Sequence, residues 1–210
     1  MDTINKIKKI GLWIFLITFI SVNVCLILSQ SFEFREHDVP SPGNYYGNLK
    51  IYNIGDAIAD KSSEWIIPYL DGTSSISRVV RVFPNNILFK LSMFVTGILL
   101  IRYWLLNKKL IEDLKIKETA TNKMIFFGIC SAIFLIIHSI FLGIKFDIAI
   151  YKLFRRIILL LFILMEITAQ FYLIKIFYKN KDLIEKFINI KILNIKKILV
   201  YLLIIVAILI

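Results

Sequence analysis

Glu166 is the residue in this chain best placed to do chemistry, because it interrupts the apolar run Phe162-Ile163-Leu164-Met165-Glu166-Ile167-Thr168-Ala169-Gln170 near its middle. A charged side chain at mid-bilayer costs about 2.5–3.5 kcal/mol even on insertion-based scales, so ionisable groups inside spans point to function or to a defined partner. Gln170 follows one turn later on the same helix face. His138 occupies a second apolar run, Phe134-Leu135-Ile136-Ile137-His138-Ser139. If the two runs form neighbouring antiparallel helices, His138 and Glu166 differ in depth by under roughly 10 Å, a gap that side chains and one water can bridge.

Three roles are open to His138, Glu166 and Gln170 as an intramembrane polar cluster. Glu166 can be protonated, or hydrogen-bonded to Gln170, Thr168 or His138, to fix helix packing. The cluster can line a polar pocket that touches lipid or substrate. As a pair, His138 and Glu166 can perform general acid–base catalysis or relay a proton. No nucleophile motif accompanies them: GxSxG, HExxH, P-loop and GxGxxG patterns are all absent, and Ser131 and Ser139 read as packing residues. No catalytic residue is therefore assigned, with His138 and Glu166 the candidates should the chain be an enzyme. The two histidines, His37 and His138, support no metal site, and no cofactor is implied.

A second cluster is cationic. Arg78 and Arg81 lie three residues apart and share a face on any short helix there, and Arg155-Arg156 open another apolar run. With Lys90 they would ring one membrane surface, where guanidinium groups can snorkel to headgroups or grip a phosphate bidentately. Anionic lipid headgroups are the partner this chemistry suits. Trp65, Tyr69 and Phe83 are suited to anchor the same interface.

These residues must be positioned by membrane helices. The chain has 210 residues, 58% of them hydrophobic and 20% charged, and a mean hydropathy of +0.76. That is too apolar for a soluble domain and predicts a single membrane domain over residues 1–210. Net charge is +11, but the basic residues fall between apolar runs, which makes them topology signals and gives no reason to expect nucleic acid. Cys25 and Cys130 are the only cysteines and both sit in apolar runs, so neither a disulfide framework nor a thiolate metal site is expected.

The predicted fold class is all-α, a polytopic transmembrane helical bundle. Apolar runs place spans at about 10–31, 85–106, 124–144 and 157–177, with an incomplete fifth at 198–210. The first is longer than a signal-peptide core and is expected to stay uncleaved. The fifth covers only about 20 Å of a core about 30 Å thick, which suggests that the natural chain continues. A long polar loop, 32–83, carries Glu33, Glu36, Asp38, Asp56, Asp60, Glu64 and Asp71, and Asp71-Gly72 reads as a tight turn. Lysine-rich segments 1–9, 107–123 and 178–197 mark the cytoplasmic side, leaving the amino terminus inside and the 32–83 loop extracytoplasmic. Arg155 and Arg156 are then the discordant pair, at the outer end of the fourth span. A bacterial inner membrane and a eukaryotic endomembrane fit equally.

The order Pro68-Tyr69-Leu70-Asp71-Gly72-Thr73, a polar run, Phe83-Pro84, then a span ending Ile101-Arg102-Tyr103-Trp104 resembles the Frag/DRAM/Sfk family of multispan membrane proteins. The resemblance covers about a fifth of the chain with any specificity. It implies six spans with both ends cytoplasmic and an association with membrane-lipid organisation, and it brings no catalytic residues with it. The function expected is that of a non-enzymatic membrane protein that binds or organises lipid at its outer face. An enzyme acting on a lipid or lipid-linked substrate through His138 and Glu166 is the alternative, and a small transporter subunit the third.

Overall fold

The computed structural model describes residues 2–31, 85–116, 118–142 and 149–209, and the account below concerns those residues. They form helices α1 (Asp2–Ser31), α2 (Asn85–Asp113), α3 (Thr119–Phe141), α4 (Ala149–Lys179), the short α5 (Lys181–Ile184) and α6 (Ile190–Leu209). No strand occurs among the described residues. Four helices are long and apolar enough to cross a membrane, over Thr3–Leu28, Asn85–Asp113, Thr119–Phe141 and Leu153–Lys179. The expected platform with Arg78 and Arg81, and the rest of the 32–83 loop, lie outside the described residues.

The helices outrun the apolar runs that announced them. Helix α1 begins at Asp2, α2 continues to Asp113 and α4 starts at Ala149, because an apolar run marks hydrocarbon while the helix carries on through its polar ends. The expected connector 107–123 accordingly shrinks to a tight corner. Lys115 has φ 55°, Ile116 N–H donates to Ile111 C=O at 3.1 Å and Lys115 N–H to Glu112 C=O at 2.9 Å. This is a Schellman motif in which Lys115 occupies the left-handed position that glycine usually takes, and the buried Ile111 and Ile116 make its hydrophobic contact. Lys179 Nζ closes on Glu118 at 2.6 Å beside this corner.

Extended packing runs in chain order: α1 on α2, α2 on α3, α3 on α4, with α6 resting on α4. Small and polar residues let the backbones approach, as expected where lipid is as apolar as leucine and cannot drive helices together. Ser21 and Ser92 hydroxyls meet at 2.5 Å between α1 and α2, and Asn85 Nδ2 donates to the Cys25 carbonyl at 3.1 Å. The core gathers Leu100, Trp104, Ile111, Met124, Ala132, Ala169, Leu173 and Ile176. Leu12, Phe15, Phe19, Leu91, Phe126 and Ile140 point outward, which in a membrane is the lipid side.

Candidate functional site

The Glu166 carboxylate is held by three helices. Trp104 Nε1 on α2 donates to Oε2 at 3.2 Å, Ser131 Oγ on α3 lies 2.7 Å from the same oxygen, and Gln170 Nε2 donates to Oε1 at 2.8 Å. Among the described residues no cation pairs with this carboxylate. Trp104 and Ser131 are fully buried and Glu166 is partly buried, so the carboxylate joins α2, α3 and α4.

Two small residues on α3 make the seam possible. A Cβ on Gly128 would fall 2.4 Å from Trp104 Cδ2 and 2.5 Å from Cγ, so only glycine lets the indole lie flat against α3. Ser131, one turn on, adds its hydroxyl, which is also 2.8 Å from the Gly128 carbonyl oxygen. Ala132 beside it is fully buried, completing a stripe of small residues at i, i+3 and i+4. Tyr103 meets the Trp104 ring edge-on with centroids 5.3 Å apart.

His138 is not part of this cluster. Ser131 is the α3 residue level with Glu166, and His138 lies seven positions further on, about 10 Å along the axis at 1.5 Å per residue. Its Nδ1 is buried with no hydrogen-bond partner among the described residues. Thr168 also turns away, donating its hydroxyl to the Leu164 carbonyl at 2.7 Å on its own helix. Of the expected polar cluster, then, the structure joins Glu166 to Gln170 and leaves His138 apart.

No family model, curated protein or solved structure matches this chain.

The two arginines of α4 part company as adjacent helical residues must. Arg156 is exposed and Arg155 half-buried, the latter with its guanidinium 6.0 Å from the Tyr151 ring centroid. The Arg155 Nε is buried and has no acceptor among the described residues. Tyr151 is fixed in turn, its hydroxyl donating to the Phe141 carbonyl at 2.8 Å, so the start of α4 is tied to the end of α3. The antiparallel register of α2, α3 and α4 puts Lys90 at this same end, opposite the Lys179–Glu118 pair.

Trp104 and Gly128 carried signals that sequence reading passed over. A tryptophan within a span needs a partner for its N–H, and Gly128, Ser131 and Ala132 form the small-residue stripe that close helix pairs use. Neither signal names Glu166 as the meeting point without the register of the helices.

Proposed function

We propose that this chain is a non-enzymatic, multi-pass membrane protein that holds anionic lipid at the end of the bundle where Arg155 lies. The observation that carries the reading is the Arg155 guanidinium: half-buried, seated beside Tyr151, with a buried donor that the described protein groups leave unmet. A guanidinium at the end of a membrane helix is matched by the phosphate of a headgroup, which accepts charge-assisted hydrogen bonds. Arg156, exposed next to it, adds charge at the surface, and Arg78 and Arg81 belong to the same proposal from the sequence alone. A non-enzymatic role agrees with the separation of His138 from Glu166 and with the use of both Glu166 oxygens in holding helices. The lipid association implied by the Frag/DRAM/Sfk resemblance points the same way.

The proposed orientation keeps the lysine-rich ends of α2 and α4 in the cytoplasm with the amino terminus, and Arg155 outside. Labelling of a Ser62→Cys variant by a membrane-impermeant reagent applied to the outer face is expected; labelling from the cytoplasmic face alone would reverse the scheme. The lipid reading is tested by purification in mild detergent and mass spectrometry of the retained lipids. Arg155→Gln is expected to reduce the anionic fraction several-fold, and Arg156→Gln to reduce it less. Equal anionic retention in wild type and Arg155→Gln would sink the proposal.

A further inference from the structure

Ser131 faces Glu166 across the seam between α3 and α4, and the helical repeat brings a second polar level to the same seam further out. Seven residues are nearly two full turns and eleven nearly three, so His138 returns to the Ser131 face of α3 and Arg155 to the Glu166 face of α4. Glu166 is central in the span Leu153–Lys179, which puts Arg155 about 16 Å and His138 about 10 Å from the midplane. With a hydrocarbon core about 30 Å thick, Arg155 stands at its edge and His138 about one turn below it. Each leaves a nitrogen unmet: Arg155 Nε and His138 Nδ1 are both buried and have no hydrogen-bond partner among the described residues. Cα–Cβ bonds tilt toward the helix N-terminus, so on antiparallel helices these two side chains lean apart, His138 inward and Arg155 outward, its guanidinium 6.0 Å from the centroid of the Tyr151 ring. Below Arg155 on the same face of α4 run Leu159 and Ile163, 39% and 40% exposed, an apolar strip that leads inward from the guanidinium.

We infer that the ligand of this site is a whole glycerophospholipid gripped at two depths, its phosphate by Arg155 and an acyl ester carbonyl by His138, with one chain laid along Leu159 and Ile163. The inference rests on the reading of Arg155 as a lipid-phosphate site and names the class of lipid. A phosphate accepts charge-assisted hydrogen bonds from the guanidinium. What the lipid offers one turn deeper is set by its covalent order: headgroup hydroxyls and amines lie outward of the phosphate, and the glycerol esters lie inward of it. An ester carbonyl accepts and does not donate, so the imidazole meets it with its hydrogen on Nδ1, and no charge on His138 is required. Both residues are only half-buried, so a rotamer change brings these nitrogens to the lipid-facing edge of the seam. A free phosphate ion would satisfy Arg155 and leave His138 unmet. An ether-linked lipid, which has no ester carbonyl, would do the same.

The test compares retention by the full chain, in mild detergent, of diacyl phosphatidylglycerol and its dialkyl ether analogue, which differ only in the ester carbonyls, read by native mass spectrometry. Wild type is expected to hold the diacyl lipid about two- to tenfold more tightly, the equivalent of one hydrogen bond. His138→Leu is expected to abolish that preference, and His138→Asn, whose amide nitrogen stands near the place of Nδ1, to keep it. Arg155→Gln should weaken both lipids and leave their ratio unchanged. Equal retention of the two lipids by wild type would overturn the inference, and that comparison needs no variant to fold. A preference that survives in His138→Leu would overturn it too, as would displacement of the diacyl lipid by excess inorganic phosphate, which would make a free anion the ligand. Equal retention together with loss of both lipids in Arg155→Gln removes the two-depth grip alone, whereas full retention in Arg155→Gln removes the phosphate reading with it.

Discussion

Replacing Gly128 by alanine adds one methyl group and should be among the most damaging single substitutions in the protein. The new Cβ would stand 2.4, 2.5 and 2.7 Å from Trp104 Cδ2, Cγ and Cδ1, where unstrained carbon contacts are about 3.5–4.0 Å. The indole must retreat by about 1 Å, and because it is fully buried it can do so only by displacing its neighbours. Its N–H bond to Glu166 is already long at 3.2 Å, so a shift of that size breaks it. Overpacking costs about 1–3 kcal/mol, and a buried N–H left without an acceptor about 1–3 kcal/mol more, giving about 2–6 kcal/mol in all. Equilibrium unfolding in mixed detergent micelles, followed by circular dichroism, reads this directly. Gly97→Ala provides the comparison: its Cβ would meet Ile136 Cγ1 at 2.5 Å, but Ile136 is half-buried and can change rotamer, so the loss should be smaller. The reasoning also predicts non-additivity, because Trp104→Phe should cost less in the Gly128→Ala background, where the indole bond is already lost. A Gly128→Ala protein within about 0.5 kcal/mol of wild type, the range of an ordinary surface substitution, would refute the packing argument.

Three further outcomes follow from the described contacts. Glu166→Leu strands the donors of Trp104 and Gln170, Ser131 keeping the Gly128 carbonyl as acceptor, and should lower stability by about 1–3 kcal/mol per group left unmet, whereas Glu166→Gln should cost far less; the same micelle titration separates them. Lys115→Gly relieves a left-handed backbone position held by a side-chain-bearing residue and should raise stability by about 0.5–1 kcal/mol, visible as a later midpoint in thermal unfolding. Glu118→Gln removes a 2.6 Å ion pair whose lysine is 66% exposed and should cost under about 1 kcal/mol, a difference in thermal-unfolding midpoint that shrinks as salt is added.

The four membrane-length helices among the described residues, and their order, were legible in the sequence because hydrocarbon thickness sets the run length that a span needs, and four runs met it. Helix ends were less so: composition changes at the membrane surface while the backbone hydrogen-bond ladder continues, and at Lys115 the corner is made by a residue that carries no turn signal. Glu166 with Gln170 could be read from i, i+4 spacing along one helix. The partners from other helices could not, because a shift of α3 by two turns would bring His138 where Ser131 stands, and depth alone does not choose between them. Shape chooses: Gly128 seats Trp104, and that contact fixes which level of α3 faces Glu166. The cationic cluster shows the opposite limit, since Arg155 and Arg156 look equivalent in the sequence and a rotation of about 100° per residue separates them.

Because α1 to α4 pack in chain order, the bundle can be assembled in the order in which it is made. Trp104 and Ser131 enter the bilayer before Glu166, and the Gly128 seat can hold the indole with its N–H already aimed across the seam. The carboxyl, costly to carry into hydrocarbon, therefore arrives after Trp104 and Ser131, its two donors from earlier helices. Reversing the order of α3 and α4 in the chain would leave every final contact available, yet Glu166 would have to wait in lipid for Ser131. Synthesis order is thus itself a stabilising element for this residue, and a permuted chain should insert its acidic helix less efficiently than the natural one.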